Sequence, residues 1–207
     1  MRPDGSRRFR FWTFALLVAT ILTVLIPAGC VPAPLKRTYK RLIVDSPDFS
    51  QKGIPEDLLI TFDTGGCWGT CPDFKVSIDS KGTVVFEGRR YTKTREAERY
   101  KISESEIRSL LSAFEVADYF TFENEYSEDK NCFAIRTSHS WITTSIRFDG
   151  MEHSVRHYTG CMDSADEFYP EDLHELENAI VELSGARRFF KSEQEAREER
   201  NKELGQD

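Results

Sequence analysis

The glycine patterns that usually mark catalytic turns are missing from this 207-residue sequence. It has no G-x-S-x-G elbow, no phosphate-cradling P-loop and no dinucleotide-binding G-x-G-x-x-G. Each of these builds a close backbone approach to a nucleophile or a phosphate, so nucleophilic hydrolases and nucleotide enzymes lose their ordinary signals. Positive charge is also short, with 28 Lys and Arg against 35 Asp and Glu, a net of −7. Met1 to Gly29 alone carries Arg2, Arg7, Arg8 and Arg10 against Asp4, a net of +3, so the rest of the chain carries −10. Nucleic acid phosphates and anionic headgroups would repel such a chain, which argues against a nucleic acid partner. Apolar residues are not in short supply: 39% hydrophobic and 12% aromatic content, including 15 Phe, suits one globular core rather than a disordered or fibrous chain.

Arg7, Arg8 and Arg10 precede an uncharged run, Phe11 to Ile26, that ends in Pro27-Ala28-Gly29-Cys30. Basic start, apolar middle and small residues at the end are the layout of a signal peptide over residues 1–29. The run is longer than most signal cores of ~7 to 15 residues and shorter than the ~20 that span a bilayer comfortably. Cleavage is therefore expected, with an uncleaved anchor or a soluble secreted form as the alternatives. Residues after Arg7-Arg8 do not continue a twin-arginine motif.

Ala28-Gly29-Cys30 resembles the lipobox of bacterial lipoproteins, although Pro27 stands where Leu is usual. The resemblance implies a diacylglyceryl group on Cys30, which becomes the new amino terminus and makes the membrane a partner. Localisation in the cell envelope, lipid-anchored and extracytoplasmic, follows. Val31 is not the Asp that retains enteric lipoproteins at the inner membrane, so outer-membrane sorting is expected where the cell has two membranes.

Residues 30–54, with Pro32, Pro34 and Pro47, read as the lipidated cysteine and a flexible tether. The domain is expected over 55–190 and a charged tail over 191–207, the tail being either a solvated helical extension or frayed chain. Leu58 to Phe62 has strand character and leads into a glycine-rich segment, Thr64 to Pro72. Phe74, Val76 and Ile78 alternate with polar residues, Asp79-Ser80-Lys81-Gly82 turns, and Val84 and Phe86 resume the alternation. A further strand is expected over Glu98 to Ile102. Ser103 and Glu106 form a capping box ahead of Ile107, Leu110, Leu111, Phe114 and Ala117, a one-faced helix ending near Asp118. A second cycle runs from Trp141 to Phe148, through Asp149-Gly150, to Met151 to Tyr158, because Asp-Gly between alternating runs signals a hairpin. Pro170 opens a helix with the stripe Leu173, Leu176, Ile180 and Leu183, and Gly185 stops it. The simplest packing is α+β: a two-layer sandwich, its antiparallel sheet built from two hairpins with two helices on one face.

Four cysteines remain once Cys30 is set aside: Cys67, Cys71, Cys132 and Cys161. An even number in an exported chain favours two disulfides, and three connectivities are open. Cys67, Cys71, His157 and Cys161 also make a chemically reasonable zinc set if the loop folds over the second hairpin, with His153 on the same strand face as His157. That spacing matches no standard finger. A redox role for Cys67 and Cys71 would need a thiol of lowered pKa, and their arrangement does not resemble the thioredoxin motif. His174-Glu175-Leu176-Glu177-Asn178 falls one His short of the helical zinc protease motif, so Glu171, Asp172, Glu175 and Glu177 read as the wet side of an amphipathic helix. Trp68 is either a rigid contact on a pinned loop or a cover for the end of the sheet.

Gly66-Cys67-Trp68-Gly69-Thr70-Cys71-Pro72-Asp73-Phe74, followed by Ile78, Gly82-Thr83-Val84 and Glu87-Gly88, resembles an uncharacterised family of bacterial domains with a C-F-G-x-C-P opening. The segments Ala117-Asp118-Tyr119-Phe120 and Val155 to Gly160 extend the resemblance over about Leu58 to Phe190. Trp68 replaces the family's Phe, and Cys132 lies where a further family step is expected. The resemblance implies pairing of Cys67 with Cys71, leaving Cys132 for Cys161. It implies an architecture and no activity. Together these readings point to a non-enzymatic envelope lipoprotein with no cofactor, whose disulfide-bonded domain binds a protein or other envelope component through the Cys67 to Cys71 loop. A metal or thiol-redox protein using Cys67 and Cys71 is the alternative, and a hydrolase built from scattered residues is a third.

Overall fold

Alternation of period two sets the sheet. In β1 (Leu59–Thr64), β2 (Asp73–Asp79) and β3 (Thr83–Arg90) every second residue is buried, as expected of strands with one face on a core. A computed structural model describes residues 46–49, 52–165 and 167–205. The expected signal peptide, the expected lipidation site at Cys30 and most of the expected tether therefore lie outside the described residues.

The other strands and α-helices among the described residues are β4 (Ala97–Lys101), α1 (Glu104–Val116), β5 (Glu125–Tyr126), β6 (Ala134–Ile135), β7 (Trp141–Phe148), β8 (Met151–Tyr158), β9 (Cys161–Met162), α2 (Glu171–Leu183) and α3 (Glu193–Glu203). The fold is α+β. Its main sheet has seven strands in the order β4-β3-β2-β1-β7-β8-β5, and β6 and β9 form a separate two-stranded ribbon. The two-hairpin sheet expected from sequence is thus too small. Both hairpins are present, but β1 lies between them, β4 extends one edge, and β5 adds a parallel strand beside β8 at the other. A two-residue edge strand such as β5 leaves almost no periodic trace in sequence.

Ile60 of β1 lies opposite Ile78 of β2 and Ile146 of β7, so the buried residues of both hairpins share one face. Onto that face pack Ile107, Leu110, Leu111 and Phe114 from α1, and Leu173, Leu176, Ile180 and Val181 from α2. Thr61, Ser77, Ser145 and Ser154 run across the opposite face. Phe62, Phe74 and Phe86 stack in succession, with Phe189 and Phe190 closing the row. Phe49 packs on Phe114, Phe120 and Phe148. The folded unit therefore begins before Pro55, because burying an aromatic ring stabilises by roughly 1.5–3 kcal/mol.

Local signals match their elements. The capping box at Ser103 and Glu106 is formed, and α2 stops where Gly185 takes φ 74°. The tail is a helix rather than frayed chain. Ser192 and Glu195 form a second capping box, Ala196 is buried, and Glu199 pairs with Arg95 and Lys191. Among the described residues no helix is long and apolar enough to cross a membrane.

Gly82 and Gly150 both have positive φ, 71° and 79°. A Cβ at Gly82 would sit 2.5 Å from the Ile102 carbonyl oxygen, whereas one at Gly150 would meet nothing within 4 Å. Gly150→Ala should therefore cost only the left-handed strain of about 1–2 kcal/mol. Gly82→Ala should cost clearly more, read as a larger fall in urea midpoint.

Asp57 accepts the N–H groups of Asp149 and Gly150 in the β7–β8 turn. The Gly150 bond is the main cause that lowers its pKa from 3.8. A carboxylate with a depressed folded pKa contributes stability that is present above the unfolded value and lost as pH falls. The urea midpoint should fall below about pH 4, and less steeply in Asp57→Asn.

Candidate functional site

Two places bring polar or aromatic groups together in ways the core does not require. The first is the loop from Gly65 to Pro72, between β1 and β2. Arg89 on β3 anchors its base by pairing with Asp63 and Asp73 and donating to the carbonyls of Thr64 and Phe74. A disulfide joins Cys67 to Cys71 with a Cα–Cα distance of 5.8 Å. Gly65 N–H donates to the Trp141 carbonyl at 2.7 Å, which ties the loop to β7.

Trp68 projects from this pinned loop and is 80% exposed, so it does not cover the end of the sheet. Beside it lies a cleft of about 440 Å³ whose walls include Trp68 and Gly69 on one side and Arg200 and Leu204 of the α3 end on the other. Arg90, also lining the cleft, donates to Tyr91 Oη at 3.0 Å and Glu203 Oε2 at 2.8 Å, fixing the end of the helix against β3.

The second place lies on the helix-facing side of the sheet. His157 of β8 is fully buried, and its Nε2 is 2.9 Å from both carboxylate oxygens of Glu177 on α2. Thr144 Oγ1 donates to Glu177 Oε1 at 2.9 Å, and Tyr119 Oη donates to the Thr144 carbonyl. Burial, with the Glu177 charge, pushes the Tyr119 phenol well above its usual range. Glu177 is only 4% exposed, which corrects its assignment to the wet side of the helix. Helical spacing places position 177 one turn from both Leu173 and Ile180, on the same stripe. His174 lies one turn before Glu177, and its ring meets His157 edge to face at 5.0 Å. Burial lowers the His174 pKa, and neighbouring His157 adds to that direction.

His174 also lines a pocket of about 510 Å³, together with His139, Thr159, Phe168, Glu171 and Glu175. A second disulfide, Cys132 to Cys161, organises its surroundings. Cys161 begins β9, which pairs with β6, and its carbonyl accepts the Tyr169 N–H at 3.0 Å beside Phe168. Arg136 stacks on Phe168. The bridge thus ties together segments that carry the pocket wall.

The zinc set Cys67, Cys71, His157 and Cys161 is not assembled. All its sulfurs are in disulfides, to Cys71 or Cys67 and to Cys132, and the His157 imidazole faces Glu177. His153 shares the core face with His157, where it stacks on Phe120 instead of joining a ligand cluster. Among the described residues the group whose ligand atoms lie close enough to hold an ion is His157, His174 and Glu177, all within 4.8 Å of one another. The one signal available in the sequence was the i, i+3 spacing of His174 and Glu177, since the contribution of His157 depends on strand β8 packing under α2.

An α+β domain with one helix-covered face and two disulfides is the class of protein defined by this arrangement. The chain belongs to the family described as Domain of unknown function (DUF6438), whose profile matches residues 58–184. No protein of curated function matches it.

The two bridges should differ in weight. Cys132–Cys161 closes 29 residues of sequence separation and Cys67–Cys71 only 4. Loop-closure entropy makes the former worth about 3–4 kcal/mol and the latter about 2 kcal/mol. Replacing Cys132 and Cys161 together by Ser should lower the urea midpoint more than replacing Cys67 and Cys71, under matched non-reducing conditions.

Proposed function

We propose that this protein is an exported cell-envelope lipoprotein, held at the membrane by a lipid on Cys30, whose domain binds an envelope protein through the Cys67–Cys71 loop. The observation that carries the binding role is Trp68, 80% exposed on a loop pinned by a disulfide at its neck and by Arg89 at its base. A large aromatic group held out in water is an apolar area already prepared for a partner, and Trp is enriched among residues that dominate interfaces. Holding the loop rigid reduces the ordering cost of binding. Two disulfides fit an oxidising compartment, which supports export. Thiol or metal chemistry at Cys67 and Cys71 would first require reducing their bridge, so no observation favours that alternative.

The lipid and the loop are tested in the same cells. Metabolic labelling with a tagged fatty acid should mark the wild-type chain, and Cys30→Ala should lose both the label and membrane fractionation. A photo-crosslinking amino acid at position 68 should give a discrete protein adduct, absent when the same group replaces exposed Glu128. Label retained in Cys30→Ala would overturn the anchor, and no adduct from position 68 would overturn the binding surface.

A further inference from the structure

We infer that His157, His174 and Glu177 form a binding site for a zinc-type divalent transition ion, entered from the pocket that His174 lines. The site is independent of the Cys67–Cys71 loop and draws on none of the cysteines.

Geometry supports the assignment. Three potential ligand atoms lie within 4.8 Å of one another. Bonds of about 2.0–2.1 Å around a tetrahedral ion place ligand atoms roughly 3.3–3.5 Å apart. His157 Nε2 is 2.9 Å from each Glu177 oxygen, so small side-chain adjustments would accommodate an ion between them. The ligands also come from two packed elements, β8 and α2, so the fold itself holds them together.

A purely structural His–Glu pair accounts for less of what is there. His174 Nε2 is buried without a hydrogen-bond partner among the described residues. Buried polar atoms are rarely left unmatched, and this one belongs to the ring that reaches the pocket. His157 is fully buried and Glu177 nearly so, while half-buried His174 connects them to the pocket. That is the gradation expected of an ion reached from one side.

Donor chemistry selects the class of ion. Two imidazole nitrogens and one carboxylate oxygen suit zinc and its late first-row neighbours, whereas calcium and magnesium prefer all-oxygen sets. Three protein ligands leave one tetrahedral position for water or a ligand, the pattern of reactive rather than structural zinc sites. Glu171 and Glu175 line the same pocket and favour entry of a cation. Thr144 donating to Glu177 Oε1 orients the carboxylate, as outer hydrogen bonds do around bound metals.

The test is a titration of the untagged, oxidised mature chain with Co²⁺, followed by visible absorption, and with Zn²⁺ against a chromogenic chelator. One equivalent should bind. His174→Gln should weaken binding at least about tenfold, since even the loss of outer-shell support costs that much. Its circular dichroism and urea midpoint should stay near wild type. His139→Gln, altering a pocket residue outside the ligand set, should leave affinity close to wild type. Co²⁺-shifted histidine resonances in the unmutated chain should belong to His157 and His174, which keeps the test valid if the variant misfolds. Absence of stoichiometric binding, equal affinity in His174→Gln, or shifted signals from His139 or His153 instead would overturn the assignment.

Discussion

The register of β1 against its two neighbours is the constraint on which the other features rest. Ile60 faces Ile78 on one side and Ile146 on the other, and Phe62 likewise faces Val76 and Thr144. Side chains alternate along a strand, so a slip of one residue would turn a whole hairpin's apolar set to the opposite face. With the register kept, two hairpins far apart in sequence present one continuous surface. The helices α1 and α2 need that surface, because each has a single apolar stripe and little stability without something to cover it.

The same register decides where the polar groups go. Thr144 and His157 occupy core-facing positions, in the alternating rows that elsewhere carry Ile146, Phe148 and Val155. A carboxylate and an imidazole cost free energy to bury unless each finds a partner. Glu177 meets that requirement for both strand residues from the overlying helix. The cluster is therefore partly compensated polarity within an apolar layer, with His174 Nε2 left unmatched at the edge that reaches the pocket.

The disulfides act at different levels of the structure. Cys67–Cys71 closes a short loop whose ends already sit on adjacent strands, so its main effect is on the conformation that presents Trp68. Cys132–Cys161 spans a longer stretch that has little regular structure beyond the ribbon of β6 and β9. Covalent closure there takes the place of a core that the short segment cannot build. The Phe168 side of the pocket rests on that segment.

Much of the domain was legible in sequence because its signals are local. Strands β7 and β8 follow from alternation around Asp149-Gly150, which takes positive φ at both turn residues, 51° and 79°. The start of α1 follows from Ser103 and Glu106. Strand β5 and the packing of α3 were not legible, since one is too short for a period and the other lacks an apolar stripe, relying on Ala196 and ion pairs. Glu177 was misread for a related reason: helical spacing puts it on the buried stripe, but only the presence of Thr144 and His157 beneath it makes a buried carboxylate tolerable. Local sequence thus determined the elements, their caps and their turns, because those depend on neighbours within a few residues. Tertiary structure decided the strand order, the exposure of Trp68 and the meeting of His157, His174 and Glu177, because these depend on packing between segments far apart in the chain.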